Sequence, residues 1–411
     1  MVRTKAPGRD GHPHADLAAG SVSTLRRIPG TVWALGFVSL FMDISSEMIH
    51  SLLPLFLVST LHATSISVGL IEGAAEAIAL TSRSLSGSLS DRLRRRKGVT
   101  FVGYALAAVT KPLFALATGA PLVFVARSID RLGKGIRGAP RDALIAHASP
   151  KALRGAAYGL RQSLDSTGAV LGPLLAMALM LATGGSFRTV FWVAVIPAVL
   201  ALTILASAVR EPPHTSERPE QPALRVRGLA GLGSAYWLVV GAGSALTLAR
   251  FSEAFLLLRA QSIGLTPSLI PLVFVLLSAV SSLSAYPFGR LSDRFGRKGL
   301  LVAGLLSLVC SDLTLALAAT AWHIALGTAL WGLHLGMTQG LLAALVADVV
   351  PQNLRGTAFG VFGMASGIAT LLASVGAGLL WEAYGPSAPF LAGAFLATTA
   401  IVPFLCIRPR S

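Results

Sequence analysis

Twelve runs of roughly twenty apolar residues occupy most of this 411-residue chain, and no other feature limits its fold so severely. Crossing the ~30 Å hydrocarbon layer as an α-helix takes about 20 apolar residues, because in lipid every backbone amide must be satisfied within its own segment. The runs fall near 32–61, 66–90, 99–118, 121–147, 156–183 and 188–209, then near 233–260, 267–290, 299–320, 322–349, 355–383 and 387–407. Hydrophobic residues make up 54% of the chain and charged ones 13%, which excludes a water-soluble fold for most of its length. The expected fold is an all-α polytopic membrane protein with the lipid bilayer as its solvent. Its 42 glycines recur inside the runs, as close helix packing in lipid requires.

A formal net charge of +16 invites a nucleic-acid reading, so the placement of each base matters more than the sum. Arg92, Arg94, Arg95, Arg96 and Lys97 follow helix 2, Lys151 and Arg154 follow helix 4, and Arg210, Arg218, Arg225 and Arg227 lie between helices 6 and 7. Arg290, Arg294, Arg297 and Lys298 end helix 8, Arg355 precedes helix 11, and Arg408 and Arg410 close the chain, while the alternate loops hold only Arg188 and Arg259. Positive residues mark the cytoplasmic side, so both termini are expected in the cytoplasm and no nucleic acid is expected as a partner. Cys310 and Cys406 sit in apolar runs without metal-ligand or redox spacing, and no metal or cofactor is implied. Residues 1–30, rich in Pro, Gly, His and Arg, read as a disordered cytoplasmic arm, in which His12 and His14 are solvated. The first apolar run is too long for a signal-peptide core and lacks a small-residue cleavage site.

The two halves of the chain repeat each other. Gly87-Ser-Leu-Ser-Asp91-Arg92 recurs as Gly289-Arg-Leu-Ser-Asp293-Arg294, and Pro150-Lys-Ala-Leu-Arg154-Gly155 as Pro351-Gln-Asn-Leu-Arg355-Gly356, with offsets that agree within one residue. Ser46-Glu47 and Ser252-Glu253 form a third, displaced pair. The proline-rich, charged segment 210–231 then reads as a cytoplasmic linker between six-helix bundles at 31–209 and 232–407.

Parallel six-helix repeats with a substrate site between them are one way secondary transporters are built. The loop between helices 2 and 3, and more closely Gly289 to Lys298, resembles the G-x-L-x-D-R-x-G-R-R signature of the major facilitator superfamily, with Arg94 standing where the second glycine belongs in the first copy. The resemblance covers 31–407, and the runs Asp43 to Glu47 and Asp130 to Asp142 look like a prokaryotic branch, which implies the inner membrane. It implies alternating access, with Gly87, Asp91, Arg92, Gly289, Asp293 and Arg294 in cytoplasmic gating loops and Asp91 facing the start of helix 11. It also implies a buried helix 4 arginine that assists proton transfer, best matched by Arg127, with Arg131 as the other register; Asp130 follows the first and Lys134-Gly135 the second. Helix 5 carries Gly168-Ala-Val-Leu-Gly172-Pro173, which resembles the G-x-x-x-G-P element of antiporter branches without its trailing glycines. Two glycines one turn apart permit close helix contact and Pro173 removes an amide donor, giving a bend against the partner half.

Charges inside the spans carry the functional reading. A charge at the bilayer centre costs roughly 2.5 to 3.5 kcal/mol on insertion scales, so charged helix faces must look into the protein or a wet cavity. Asp43, Glu47, His50 and Pro54 fall within about 40° of one another on helix 1. Carboxylates about 6 Å apart repel by roughly 3 kcal/mol at an effective dielectric of 20, which favours a proton on one of the two. Glu72, Glu76 and Arg83 share a face of helix 2, and Arg127, Arg131, Lys134 and Arg141 a face of helix 4. Acids and bases of the first six spans, Asp142, Asp165, Lys111, Arg137 and Arg161 included, nearly cancel, so pairing is expected. The second half offers Arg250 and Glu253 to the cavity, with Phe251, Phe255, Trp331, His334 and Gln339 for substrate shape; Trp331 and His334 read equally well as packing residues. Trp322 and Trp381 fit interfacial belts.

The expectation is a proton-driven exporter of a small organic molecule, working as a monomer, with Asp43 and Glu47 titrating and Arg127 assisting. Uptake by symport and exchange of an anionic substrate, suggested by the basic stripe of helix 4, are the rivals. A membrane enzyme is disfavoured, since no nucleophile, base and orienting group occur together.

Overall fold

The computed structural model describes residues 27–93, 95–210, 232–295, 297–351 and 354–406, with side chains left out at 87–93, 293–295, 297 and 403–406. Residues 1–26 of the 1–30 arm, 211–231 of the 210–231 linker and the side chains of Asp91, Arg92, Asp293 and Arg294 therefore lie outside the described residues. The chain folds into twelve spans: α1 Gly30–His50, α2 Ser65–Leu93, α3 Arg96–Leu116, α4 Ala120–Ala148, α5 Arg154–Ala182, and α6 Phe187–Val193 continued by Val195–Ala208. The second half follows as α7 Ser234–Ala249 continued by Ala254–Ser262, α8 Pro271–Phe295, α9 Arg297–Ala316, α10 Ala321–Val349, α11 Arg355–Tyr384 and α12 Ala388–Cys406. By length and apolarity alone, nine helices among the described residues are able to cross a membrane. The other three fall short for separate reasons. α7 is broken, the described apolar part of α12 is short (Ala388–Val402), and α4 carries seven charged side chains between Arg127 and Asp142.

Both helices that open a half are interrupted. α1 stops at His50 and resumes as Leu53–Leu55 and a π-helical turn, Phe56–Thr60. Pro54 explains the break, because it lacks the amide that would bond the His50 carbonyl and its ring crowds that oxygen. α7 stops at Ala249 and resumes at Ala254, with no proline or glycine between. Its freed amides are taken by side chains: Ser252 N donates to Ser374 Oγ of α11 at 3.2 Å, and Ala254 N to Ser252 Oγ at 3.2 Å. Beyond their breaks, the tips of α1 and α7 pack on each other.

Glycines let the halves approach along α2 and α11. A Cβ on Gly73 would lie 3.0 Å from Leu371 Cα, one on Gly367 3.2 Å from Ala77 Cα, one on Gly378 2.6 Å from the Ser65 carbonyl, and one on Gly69 would strike the Ser374 carbonyl. At the same end Glu382 of α11 accepts from Ser65 Oγ at 2.7 Å and from Ser65 N at 3.3 Å, so a carboxylate of one half caps the first helical amide of α2 in the other. α5 and α8 form the second crossing, with Ser282 donating to Ser166 at 3.2 Å.

The two bases on the sparsely charged side serve as helix caps. Arg188 donates to the carbonyls of Ala115 and Ala117 at the end of α3, at 2.6 and 2.8 Å. Arg259 donates to Leu315, Ala316 and Ala318 at the end of α9, at 2.9, 3.0 and 2.9 Å. The capped positions are repeat equivalents, yet the arginines come from α6 in one half and α7 in the other. Each satisfies orphan carbonyls that would otherwise be buried.

Replacing Gly69 by Leu is expected to lower stability by about 1–3 kcal/mol, the usual range for overpacking, and to part α2 from α11. A thermal shift and the loss of disulfide cross-linking between cysteines placed at the facing positions would register it. Glu382→Ala is expected to leave the thermal shift small and yet weaken the same cross-link, since it removes a closing contact and no core volume.

Candidate functional site

The described centre of the molecule is a charged chamber between the halves. One cavity of about 290 Å³ is lined by Glu47, His50, Glu72, Glu76, Arg131 and Lys134 from the first half, and by Arg250, Phe251, Ser252, Glu253, Phe274 and Leu335 among others from the second. A second of about 300 Å³ is lined by first-half residues alone, including Asp43, Arg83, Arg137, Arg141, Arg161 and Asp165. Glu76 and Lys134 line both, which makes them neighbours.

Two layers of charge can be separated by exposure. In the dry layer Lys111 of α3 bonds Asp130 at 2.8 Å, and Arg127 bonds Glu72 at 2.7 Å while lying 3.9 Å from Asp130. Glu72 and Asp130 side chains are only 5% exposed. Taking such ions from water costs several kcal/mol each, so they are tolerable only as a matched set. In the wet layer Asp43 is 24% exposed, Glu47 17% and Glu76 47%, and their cationic neighbours stand further off: Arg137 is 4.0 Å from Asp43 and Arg131 4.0 Å from Glu76. Arg161 and Asp165 pair within α5, and Arg161 Nε lies 3.9 Å from Asp142.

His50 joins the layers. Its Nδ1 lies 3.3 Å from Glu47 and its Nε2 3.5 Å from Glu72, which in turn holds Arg127. From Arg127 the chain continues through Asp130 to Lys111, and Lys111 Nζ also donates to Ser46 Oγ at 3.0 Å, next to Glu47. A ring of polar contacts thus starts and ends on α1. It can pass a proton between a wet carboxylate and a dry one through an imidazole, the side chain best suited to both roles.

Helix 5 sets the depth of these groups. A Cβ on Gly168 would meet the Leu40 carbonyl at 2.8 Å and Asp43 Cβ at 3.0 Å, and one on Gly172 would meet the Ile44 carbonyl and Glu47 Cβ, each at 2.8 Å. The two glycines therefore face α1 of their own half, not the partner half, and lie directly beneath the two carboxylates of interest. Pro173, one residue on, is buried in the same helix.

Asp43 and Glu47 share a stripe, as their spacing implies, but they serve different cavities: Asp43 turns to Arg137 and Asp165, Glu47 to His50 and the second half. Arg127 is buried in the pair with Glu72, whereas Arg131 lines the chamber. Arg83 reaches only the first-half cavity and Gly289 is exposed. Trp331 and His334 are buried; Trp331 packs edge-on against Phe251, and His334 Nδ1 lies 2.8 Å from the Gly304 carbonyl. Sequence reasoning missed Asp312, fully buried in α9, because it stands alone in an apolar run with no charged residue at helical spacing. Its equivalence to Lys111, 201 residues earlier in the repeat, was the signal that would have found it.

A sequence profile described as Major Facilitator Superfamily matches residues 35–260 and again 238–411. An uncharacterised MFS-type transporter of Methanocaldococcus jannaschii is 33% identical over 90% of this chain and 93% of its own. A shorter match, 30% identical over 42% of this chain and 44% of the other, is to the multidrug resistance protein MdtG of Escherichia coli. Among solved structures the nucleoside transporter NupG superposes with a TM-score of 0.73 at 14% identity, over 93% of this chain and all of that one. Matched along nearly its whole length by profile and relative, and carrying twelve spans as two similar halves around a charged chamber, the chain belongs to the Major Facilitator Superfamily, a multi-pass membrane transporter and not an enzyme.

Proposed function

We propose that the protein is a proton-coupled exporter of a small organic molecule, in which bodies 31–209 and 232–407 rock about the chamber. The observation that carries this reading is the half-wet Glu47–His50–Glu72 chain: one carboxylate open to the chamber, one dry and paired with Arg127, and an imidazole within 3.5 Å of both. A proton arriving at Glu47 weakens its hold on His50. The change passes to Glu72 and so to the Arg127 pair, which joins α2 to α4. Asp43, facing its own cavity with Arg137 and Asp165, is a second loading point. In this scheme coupling belongs to the first half, and the second, through Phe251, Phe274 and Leu335, shapes the substrate. With the base-rich loops on the cytoplasmic side, the packed tips of α1 and α7 and the Ser65–Glu382 contact close the outer end, so the chamber faces inward. Outward transport is favoured by the likeness to a multidrug resistance protein and by the helix 5 glycine element.

A second reading, exchange of an anionic molecule, draws on Lys134 and Arg250, cations of opposite halves that line the same cavity. Proteoliposomes of known orientation, given an imposed pH gradient and a substrate panel, separate the two readings. Under proton coupling Glu47→Gln and Asp43→Asn are expected to reduce gradient-driven flux to background while protein yield and thermal stability stay near wild type; unchanged flux in both removes the coupling assignment. Under anion exchange Lys134→Ala or Arg131→Ala abolishes a salt-sensitive binding signal and the pH gradient has no effect.

The dry layer makes its own prediction. Lys111→Met alone is expected to destabilise by about 3–5 kcal/mol, since it leaves Asp130 charged and without its main partner. Adding Asp130→Leu is expected to recover most of that loss in a thermal-shift assay, and a double variant as unstable as the single one would contradict the pairing.

A further inference from the structure

Asp312 occupies in α9 the repeat position that Lys111 occupies in α3, and Trp331 in α10 the position of Asp130 in α4. In the first half these two sites hold an ion pair; in the second they hold an acid and an indole, and among the described residues the acid has no counter-charge. Asp312 is fully buried, and neither carboxyl oxygen has a hydrogen-bond partner. The Trp331 indole nitrogen and the Thr328 hydroxyl are buried without partners as well.

The place of this carboxyl is set by α12 and α7. A Cβ on Gly393 of α12 would lie 2.6 Å from Asp312 Oδ2 and 3.1 Å from Phe251 Cε1, so the missing side chain leaves a slot that the carboxyl and the edge of the Phe251 ring share. Phe251 sits in the break of α7, packs edge-on against Phe255, Trp331 and Phe390, and also lines the central cavity. The Phe251 ring therefore borders both the slot that holds the Asp312 carboxyl and the chamber. Among the described residues, the titratable groups of the surrounding helices lie elsewhere or have other partners. On α7 Arg250 and Glu253 line the cavity and Arg259 caps α9. On α10 His334 is turned to the Gly304 carbonyl and His323 to Thr320, with Asp348 near the far end; α8 carries Arg290 beside Tyr286, with Asp293 and Arg294 beyond it. The described part of α12 has no titratable side chain, and no ion pair reaches Asp312 among the described residues.

We propose that Asp312 is a proton-holding site of the second half, loaded from the central cavity when the broken segment of α7 moves Phe251 aside. An isolated carboxylate in an apolar cage is far too costly to persist as an ion. The group is then held as the acid: a hydronium ion in the chamber gives up a proton and becomes water, one O–H bond forms on a carboxyl oxygen, and the proton passes back to a chamber water as hydronium when the ring swings out. A charge-free acid in one state and an ion in the other extends to the second half the coupling that the transport reading places in the first. The proposal draws its purpose from the transport reading above, but its chemistry stands without it.

Infrared spectroscopy on the purified full-length protein tests it independently of any transported substrate. At neutral pH the wild type is expected to show the carbonyl stretch of a protonated carboxyl, shifted in D2O and missing from the difference spectrum of Asp312→Asn. Phe251→Ala is expected to accelerate the deuterium shift of that band at least tenfold, while Phe255→Ala, one turn on, leaves its rate within about twofold. An Asp312→Asn spectrum identical to wild type would overturn the proposal, as would a band that sodium ions abolish, which would mark a metal-cation site, or one whose exchange Phe251→Ala leaves unchanged.

Discussion

A charge in the hydrocarbon layer has to be paired or wetted, and the architecture of the first half follows from that constraint. α4 is too charged to be held by lipid, so it lies against α2 and α3, where Glu72 and Lys111 meet Arg127 and Asp130. Because desolvation makes each of these ions intolerable without its mates, the set fixes the mutual register of three helices. Once those partners are used, Asp43, Glu47 and Glu76 are tolerated because they border the two cavities and keep partial exposure. Exposure and pairing thus divide one group of charges into a structural layer and a candidate working layer, with His50 between them.

The breaks in α1 and α7 bring irregular backbone beside these charges. They occur in the first helix of each half, and each sits beside charged or polar chamber residues, Glu47 and His50 in one, Arg250 and Glu253 in the other. Discontinuous helices in two repeats leave backbone groups free inside a membrane-spanning bundle, where only protein or a wet cavity can satisfy them. Here the serines of α7 and α11 do so. The breaks differ in cause: Pro54 writes the first into the sequence, whereas the second is held by tertiary hydrogen bonds and leaves no local mark.

The halves share a framework and differ in what fills it. The ends of α3 and α9 are capped at equivalent carbonyls by arginines from different helices, so the need to satisfy those oxygens has been met twice by separate routes. The position of the Lys111–Asp130 pair is filled in the second half by an acid and an indole. The two halves thus share a backbone scaffold and hold unlike buried polar groups at equivalent positions.

The sequence by itself determined the twelve spans, the two-fold repeat and the stripe from Asp43 to His50, because hydropathy and helical spacing are local properties that lipid enforces segment by segment. It also placed Gly168 and Gly172 one turn apart, but not the helix they approach. Only the tertiary structure decided that they press on α1, that Asp43 and Glu47 face different cavities, and that His50 bridges Glu47 and Glu72. The same holds for Asp312, a buried acid without a partner among the described residues. Pairing across helices depends on rotation and depth of packed neighbours, and a one-dimensional pattern carries the angle of each side chain on its own helix without the helix it will meet.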